Sequence, residues 1–321
     1  MGYQNEKNIV DDSFDTIKEF VACNSEAQII KFICENFAQW AQETPRDILI
    51  PVLNFHKRFR FWGNFDLDTD DITMVSNRAR MLKERWTDIE ELYHTLSDFR
   101  SKHILVMILE NWLSFSFDKI SKVKEAVYEQ YFDMDLFPCD EKEIFVDLGA
   151  YEGDTAESYR STYGLKAYNK IYCYEIVEDN IRKIKEKFAK DSRIIVRPVG
   201  VSNKTGVMYL SDNGTVNAQS LKEQGKNKVN TVTLDQDIKD KITFLKMDIE
   251  GEEKNAIEGA RNHIQRDCPK MAISIYHSNE DLVDIYLKIK EIQPAYDFYL
   301  RYYGSDYCPT DYILMCVPKR M

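Results

Sequence analysis

The sequence predicts an α/β fold: a Rossmann-like, mostly parallel sheet with an antiparallel C-terminal hairpin, preceded by a helical N-terminal region. Three observations predict it. The stretch 144–155, IFVDLGAYEGDT, runs from an apolar strand through a glycine turn into a helix start, the first unit of a doubly wound sheet. From there on, strand and helix patterns alternate, which implies parallel pairing. Ahead of it, apolar residues recur at helical rather than strand spacing. Pro138 marks the boundary, so the expected organisation is a helical region over 1–138 and a ligand-binding α/β domain over 139–321.

Residues 1–45 read as two helices. Phe14, Ile17 and Val21 form one stripe, and Ile30, Ile33, Phe37 and Trp40 a second, opened by a Ser25/Gln28 capping box. Pro45 and Pro51 bracket a break. Residues 53–66 interleave aromatics with Lys57, Arg58 and Arg60. Such a mixture stacks on bases or sugars, or covers a seam between elements; packing is the favoured reading. The acidic run 66–71 departs from a calcium loop, with Asp71 at the glycine position and Asn77 at the closing glutamate. Residues 74–132 read as wholly helical, through the stripes of Trp86 to Leu96, Ile104 to Trp112, and Ile120, Val123, Val127 and Tyr131.

Five parallel strands are expected at Ile144–Leu148, Ile171–Tyr174, Ile194–Val199, Ile242–Met247 and Met271–Tyr276. Helices follow the first to about Tyr163, then over Ile181–Phe188, Glu252–His263 and 280–292. A short β segment is expected at Val207–Leu210, a polar loop at 211–227, and a closing hairpin at Phe298–Tyr302 and Tyr312–Val317.

Asp147, Glu175, Asp248 and His277 each end a predicted parallel strand, the edge at which open α/β sheets bind ligands. The turn after Asp147 reads D-x-G-A-x-x-G-D instead of the G-x-G-x-x-G of dinucleotide sites. Asp147, Glu152 and Asp154 would repel a pyrophosphate and suit a ligand with a positive centre and an amine, such as S-adenosylmethionine (SAM). Gly149, Ala150, Tyr151, Gly153, Asp154 and Thr155 form the expected cofactor-binding turn, its glycines allowing backbone approach and its helix start presenting N–H groups. Glu175, 28 residues after Asp147, suits both ribose hydroxyls. Asp248 and Glu250, flanking the fourth strand end before Gly251, suit a base, a metal pair or an amine anchor, though they can also cap the next helix. No His or Cys cluster supports a metal.

Composition excludes other classes. The formal net charge of −11 disfavours a nucleic-acid backbone as partner. The seven cysteines form no C-x-x-C pair and suggest neither a disulfide framework nor a zinc site, so a cytoplasmic setting is expected. Residues 1–20 are polar and acidic, unlike a signal peptide, and the longest apolar run, 104–109, is too short to span a bilayer.

The motifs VDLGAYEGDT (146–155), LKMDIEGEE (245–253), Gly259–Ala260 and PKMAISIYH (269–277) together resemble the FkbM-type SAM-dependent methyltransferases over roughly residues 143–317. That resemblance implies a class I methyltransferase fold and O-methylation of a sugar, glycan or secondary-metabolite hydroxyl, with S-adenosylhomocysteine as product. It further implies that Asp147, Gly149 and Gly153 line the methionine moiety and Glu175 the ribose. Val201 and Ser202 would lie near the adenine, and Asp248 near the reacting centre. The catalytic candidates are His277 as base with Asp248 orienting it, Asp248 itself, and Glu250. N-methylation, and SAM binding without catalysis, are the rival readings. The helical region lies outside the shared motifs and is expected to cover the active-site edge, bind the acceptor or support a homodimer.

Overall fold

The computed structural model describes residues 7–66, 69, 71–115, 117–138, 142–210, 221–222 and 227–319. Apolar strand segments in the second half of the chain assemble a seven-stranded sheet. Its strands are β1 (Glu143–Leu148), β2 (Tyr168–Tyr174), β3 (Ile194–Arg197), β8 (Phe244–Met247), β9 (Lys270–Ser274), β10 (Tyr296–Tyr302) and β11 (Tyr312–Pro318). The order is β10-β11-β9-β8-β1-β2-β3, parallel except for the C-terminal strands. β1 and β8 are buried along almost their whole length because both faces of a parallel sheet are covered.

The segment predicted at Val207–Leu210 does not join this sheet. It lies in β5 (Gly206–Leu210) of a separate four-stranded sheet with β4 (Gly200–Val201), β6 (Leu221–Lys222) and β7 (Asn227–Val232), ordered β4-β7-β5-β6. Most of the loop expected over 211–227 lies outside the described residues, as does part of the acidic run 66–71.

The chain forms two compact units. The first comprises residues 1–125, 275–283 and 298–313; the second comprises 126–274, 284–297 and 314–321. The first holds helices α1 (Ile9–Cys23), α2 (Glu26–Glu43), α3 (Arg46–Arg58), α4 (Thr73–Glu84), α5 (Trp86–Thr95), α6 (Phe99–Ser114) and α7 (Phe117–Ser121). The Ser25/Gln28 capping box is present. α6 buries Ile104, Leu105, Val106, Ile108, Leu109 and Trp112. Its start is tied to a C-terminal strand of the same unit: Leu300 N–H donates to Ser101 Oγ at 2.8 Å and Arg301 reaches Asp98 at 2.9 Å.

Two expectations fail here. α3 runs through Pro51, where a break was expected; its buried Val52 and His56 outweigh the amide hydrogen bond the proline removes. Residues 122–132, expected to continue the helical stretch, are not α-helical, and Val127 is 77% exposed. From residue 126 on the segment packs in the second unit instead, with Phe132 edge-on to Phe145, Tyr159 and Phe244. The second unit also holds α8 (Asp154–Tyr163), α9 (Glu178–Lys187), α10 (Leu234–Asp237), α11 (Glu253–Gly259) and α12 (Arg261–Asp267). The helix expected over 252–263 is thus two short ones, broken at Ala260. A further helix, α13 (Asp281–Ile292), precedes β10. No helix among the described residues is long and apolar enough to cross a membrane.

Candidate functional site

Within the second unit, the carboxyl ends of β1, β2 and β8 meet around a cleft of about 710 Å³. Their loops are stitched together by backbone. Gly149 and Ala150 N–H donate to Tyr174 O at 3.1 and 3.0 Å, and Asp248 N–H donates to Leu148 O at 3.0 Å. Gly149 has φ +78°, and a Cβ there would lie 1.8 Å from Asp248 O. The glycine is required so that two strand ends can touch. Gly153, also at φ +78°, lies against Phe188, whose ring a Cβ would meet at 2.7 Å. It seats α8 against α9 and does not line the cleft.

Asp147 does not face the cleft either. It is fully buried, 3.0 Å from the Nζ of buried Lys246. Burial holds its carboxyl up at about 6 in spite of that cation. Lys246 also donates to Gly149 O at 2.7 Å, so the pair braces the turn from beneath. Ala150, Asp154, Thr155 and Ser202 likewise lie outside the cleft lining, whereas Gly149, Tyr151, Glu175, Val201, Asp248 and Glu250 form part of it.

Glu175 is aimed by its neighbours. Its Oε1 accepts from Ile176 N–H at 2.6 Å and Val177 N–H at 2.8 Å, and burial raises its pKa. Apolar Ile176, Val177, Val199 and Val201 line the same cleft. So do three more carboxylates, Asp248, Glu250 and Glu252. Burial raises the pKa of Glu252, which accepts from Ser202 Oγ at 3.2 Å and Asn255 Nδ2 at 3.0 Å. Tyr151 (φ +44°) and Glu250 (φ +58°) both hold the left-handed backbone that non-glycine residues rarely adopt, and such strain clusters at functional sites.

Several contributors carried no legible signal. Tyr131 donates its hydroxyl to Asp248 Oδ2 at 2.8 Å, and its ring lies 5.2 Å from Lys246 Nζ. Its helical spacing had placed it in a stripe, not at a site. Glu253 accepts from Ile249 N–H at 2.8 Å and Gly251 N–H at 3.0 Å, folding the loop that presents Asp248 and Glu250. The paired acids of the EGEE run hinted at this one. Asn180 and Tyr174 complete the cleft lining. His277 falls in the first unit, three residues past the end of β9, with the Phe61 ring 5.3 Å from its own.

The strand order, the antiparallel C-terminal strands and a cleft at the carboxyl ends of the central strands define a class I methyltransferase fold. Residues 147–303 match the family model of the methyltransferase FkbM domain, and this chain carries a domain of that family. The fold resembles the crystal structure of a methyltransferase FkbM from Methylobacillus flagellatus KT, with a TM-score of 0.64 and 24% identity. The match covers 74% of this chain and 61% of that one, so the present chain spans about three fifths of that protein's length. An rRNA methylase from Streptococcus thermophilus is a more distant likeness, with a TM-score of 0.39 and 12% identity over 57% of this chain and 90% of that one. No curated protein matches the chain.

Proposed function

We propose that this protein is a SAM-dependent O-methyltransferase acting on a hydroxyl of a sugar, glycan or secondary metabolite. The observation that carries the reading is the donor set of the cleft. Glu175, pinned at the end of β2, suits the ribose hydroxyls. Ile176, Val177, Val199 and Val201 offer an apolar surface suited to adenine, and Asp248, Glu250 and Glu252 suit a sulfonium and an amine. When bound, SAM supplies an activated methyl group.

The chain's own residues orient the acceptor and manage its proton. A neutral hydroxyl is a weak nucleophile, so a positioned base helps. Asp248 lines the cleft and is held by Tyr131, which favours it as the proton acceptor over His277. The Tyr131 hydroxyl fixes the rotamer of Asp248 at the cleft. The lysine-braced turn beneath keeps the strand ends in register while the acceptor binds.

The test is methyl transfer from labelled SAM over a panel of glycans and hydroxylated metabolites, with the label located on the product. Label on oxygen supports the reading; label on nitrogen, or no transfer despite SAM binding, refutes it. Asp248→Asn should lower turnover by about 10²–10⁴. His277→Ala should leave it near normal, and the reverse pattern would move the base to the histidine.

A further inference from the structure

The first unit buries a cation with no counter-charge among the described residues. Arg78, on α4, is 1% exposed. Its guanidinium carbon lies 5.4 Å from the Trp62 ring centroid, 5.6 Å from Phe115 and 6.0 Å from Trp112. Its Nε and Nη1 have no hydrogen-bond partner, and no carboxylate among the described residues pairs with it. His56, on α3, is equally buried, and neither of its ring nitrogens has a partner. The His56 ring packs on Trp62 and Phe65 at 5.6 and 5.8 Å. The indole N–H of Trp112 and the hydroxyl of Tyr312 are also buried and unpartnered.

These groups call for something specific. The three rings attract the guanidinium but accept few of its N–H bonds. Water would accept the N–H bonds but leave the charge uncompensated in an apolar setting. A small anion with several acceptor oxygens does both, and a guanidinium fork matches such an anion well. Burial and the neighbouring Arg78 push the His56 pKa down to about 3, so the imidazole is neutral and offers one N–H donor and one acceptor. Arg78 itself is lowered only to about 10 and stays charged at neutral pH.

We propose that Arg78, His56, Trp112 and Tyr312 bind a small oxyanion, a carboxylate or phosphate group, in the helical unit. This site is separate from the carboxylate-lined cleft and has the opposite charge preference. Nothing in the proposal depends on methyl transfer.

The test is thermal unfolding of the full chain, equilibrated at constant ionic strength while chloride is exchanged for inorganic phosphate or for acetate. A ligand that binds only the folded state raises the midpoint saturably. We expect such a rise, of at least about 3 °C, with one of the two anions, which also tells a tetrahedral from a planar preference. Arg78→Met should abolish it and Tyr312→Phe should diminish it. Direct titration of the unmodified chain with the same anion should give a single saturable binding event. An equal rise in Arg78→Met, or no saturable rise and no binding event with either anion, overturns the proposal. Should Arg78→Met fail to fold, the Tyr312→Phe comparison and the direct titration decide it.

Discussion

At the scale of single residues, the cleft is set by side chains whose freedom has been removed. Glu175 is locked by two backbone amides, so its truncation removes an already oriented acceptor. Glu175→Ala should weaken SAM binding by the loss of two charge-assisted hydrogen bonds of about 1.5–3 kcal/mol each, measured by titration calorimetry with the fold intact. Unchanged affinity would put the ribose elsewhere. Tyr131 has φ +73°, a conformation kept only where surroundings enforce it, and it spends its hydroxyl on Asp248. Tyr131→Phe should lower turnover by roughly tenfold, one hydrogen bond's worth, while leaving SAM affinity alone. Unchanged turnover would make the tyrosine a packing residue. Gly149 tolerates no side chain: Gly149→Ala drives a Cβ into Asp248 O and should reduce both stability and SAM affinity. Equal denaturation midpoints for variant and parent would contradict that geometry.

At the scale of elements, the buried Asp147–Lys246 pair joins β1 to β8 under the cleft floor. The Asp147 carboxyl titrates near 6 in the folded state, above its value in the unfolded chain. The folded state therefore binds that proton more tightly, so the residue's contribution to stability is full in acid and declines as pH rises from about 4 to about 6. Glu175, also raised, adds a slope of the same sign. Denaturant unfolding across that range should show stability falling with pH, and Asp147→Asn should flatten the slope. Lys246→Met leaves a buried carboxylate without its cation and should cost about 3–5 kcal/mol. Glu253 is the other element-level brace: it satisfies two amides of the loop after β8, and without it the turn bearing Glu250 loses its fixed shape.

At the scale of the whole molecule, the helical unit is completed by segments that follow the α/β core in sequence. Phe298 bridges Leu96, Leu300 and Arg301 bond to Ser101 and Asp98, and the Glu125 amide donates to Tyr302 O at 2.7 Å. Removing residues 1–125 would strip those partners from segments that remain in the chain. The truncated protein should therefore expose apolar surface and aggregate, as read by light scattering. A monodisperse, active fragment would show the helices to be dispensable.

The sequence by itself determined which segments become strands of the parallel sheet and that acids stand at their carboxyl ends. Both follow from local signals, apolar runs and glycine turns. The helices α1 and α2, with the Ser25/Gln28 capping box of the second, were legible for the same reason. The tertiary structure alone decided which of those acids face the cleft. Asp147 lies opposite Cys173, two residues before Glu175, and points at Lys246, whereas Glu175 lines the cleft. Only the structure assigns Tyr131 to Asp248, across 117 residues of chain. Only the structure shows that Gly149 and Gly153 also permit close packing, against Asp248 and Phe188. The reason is common to all of these. Periodicity and turn chemistry act between neighbours in the chain, whereas the direction a side chain takes is set by the partners it meets across the fold.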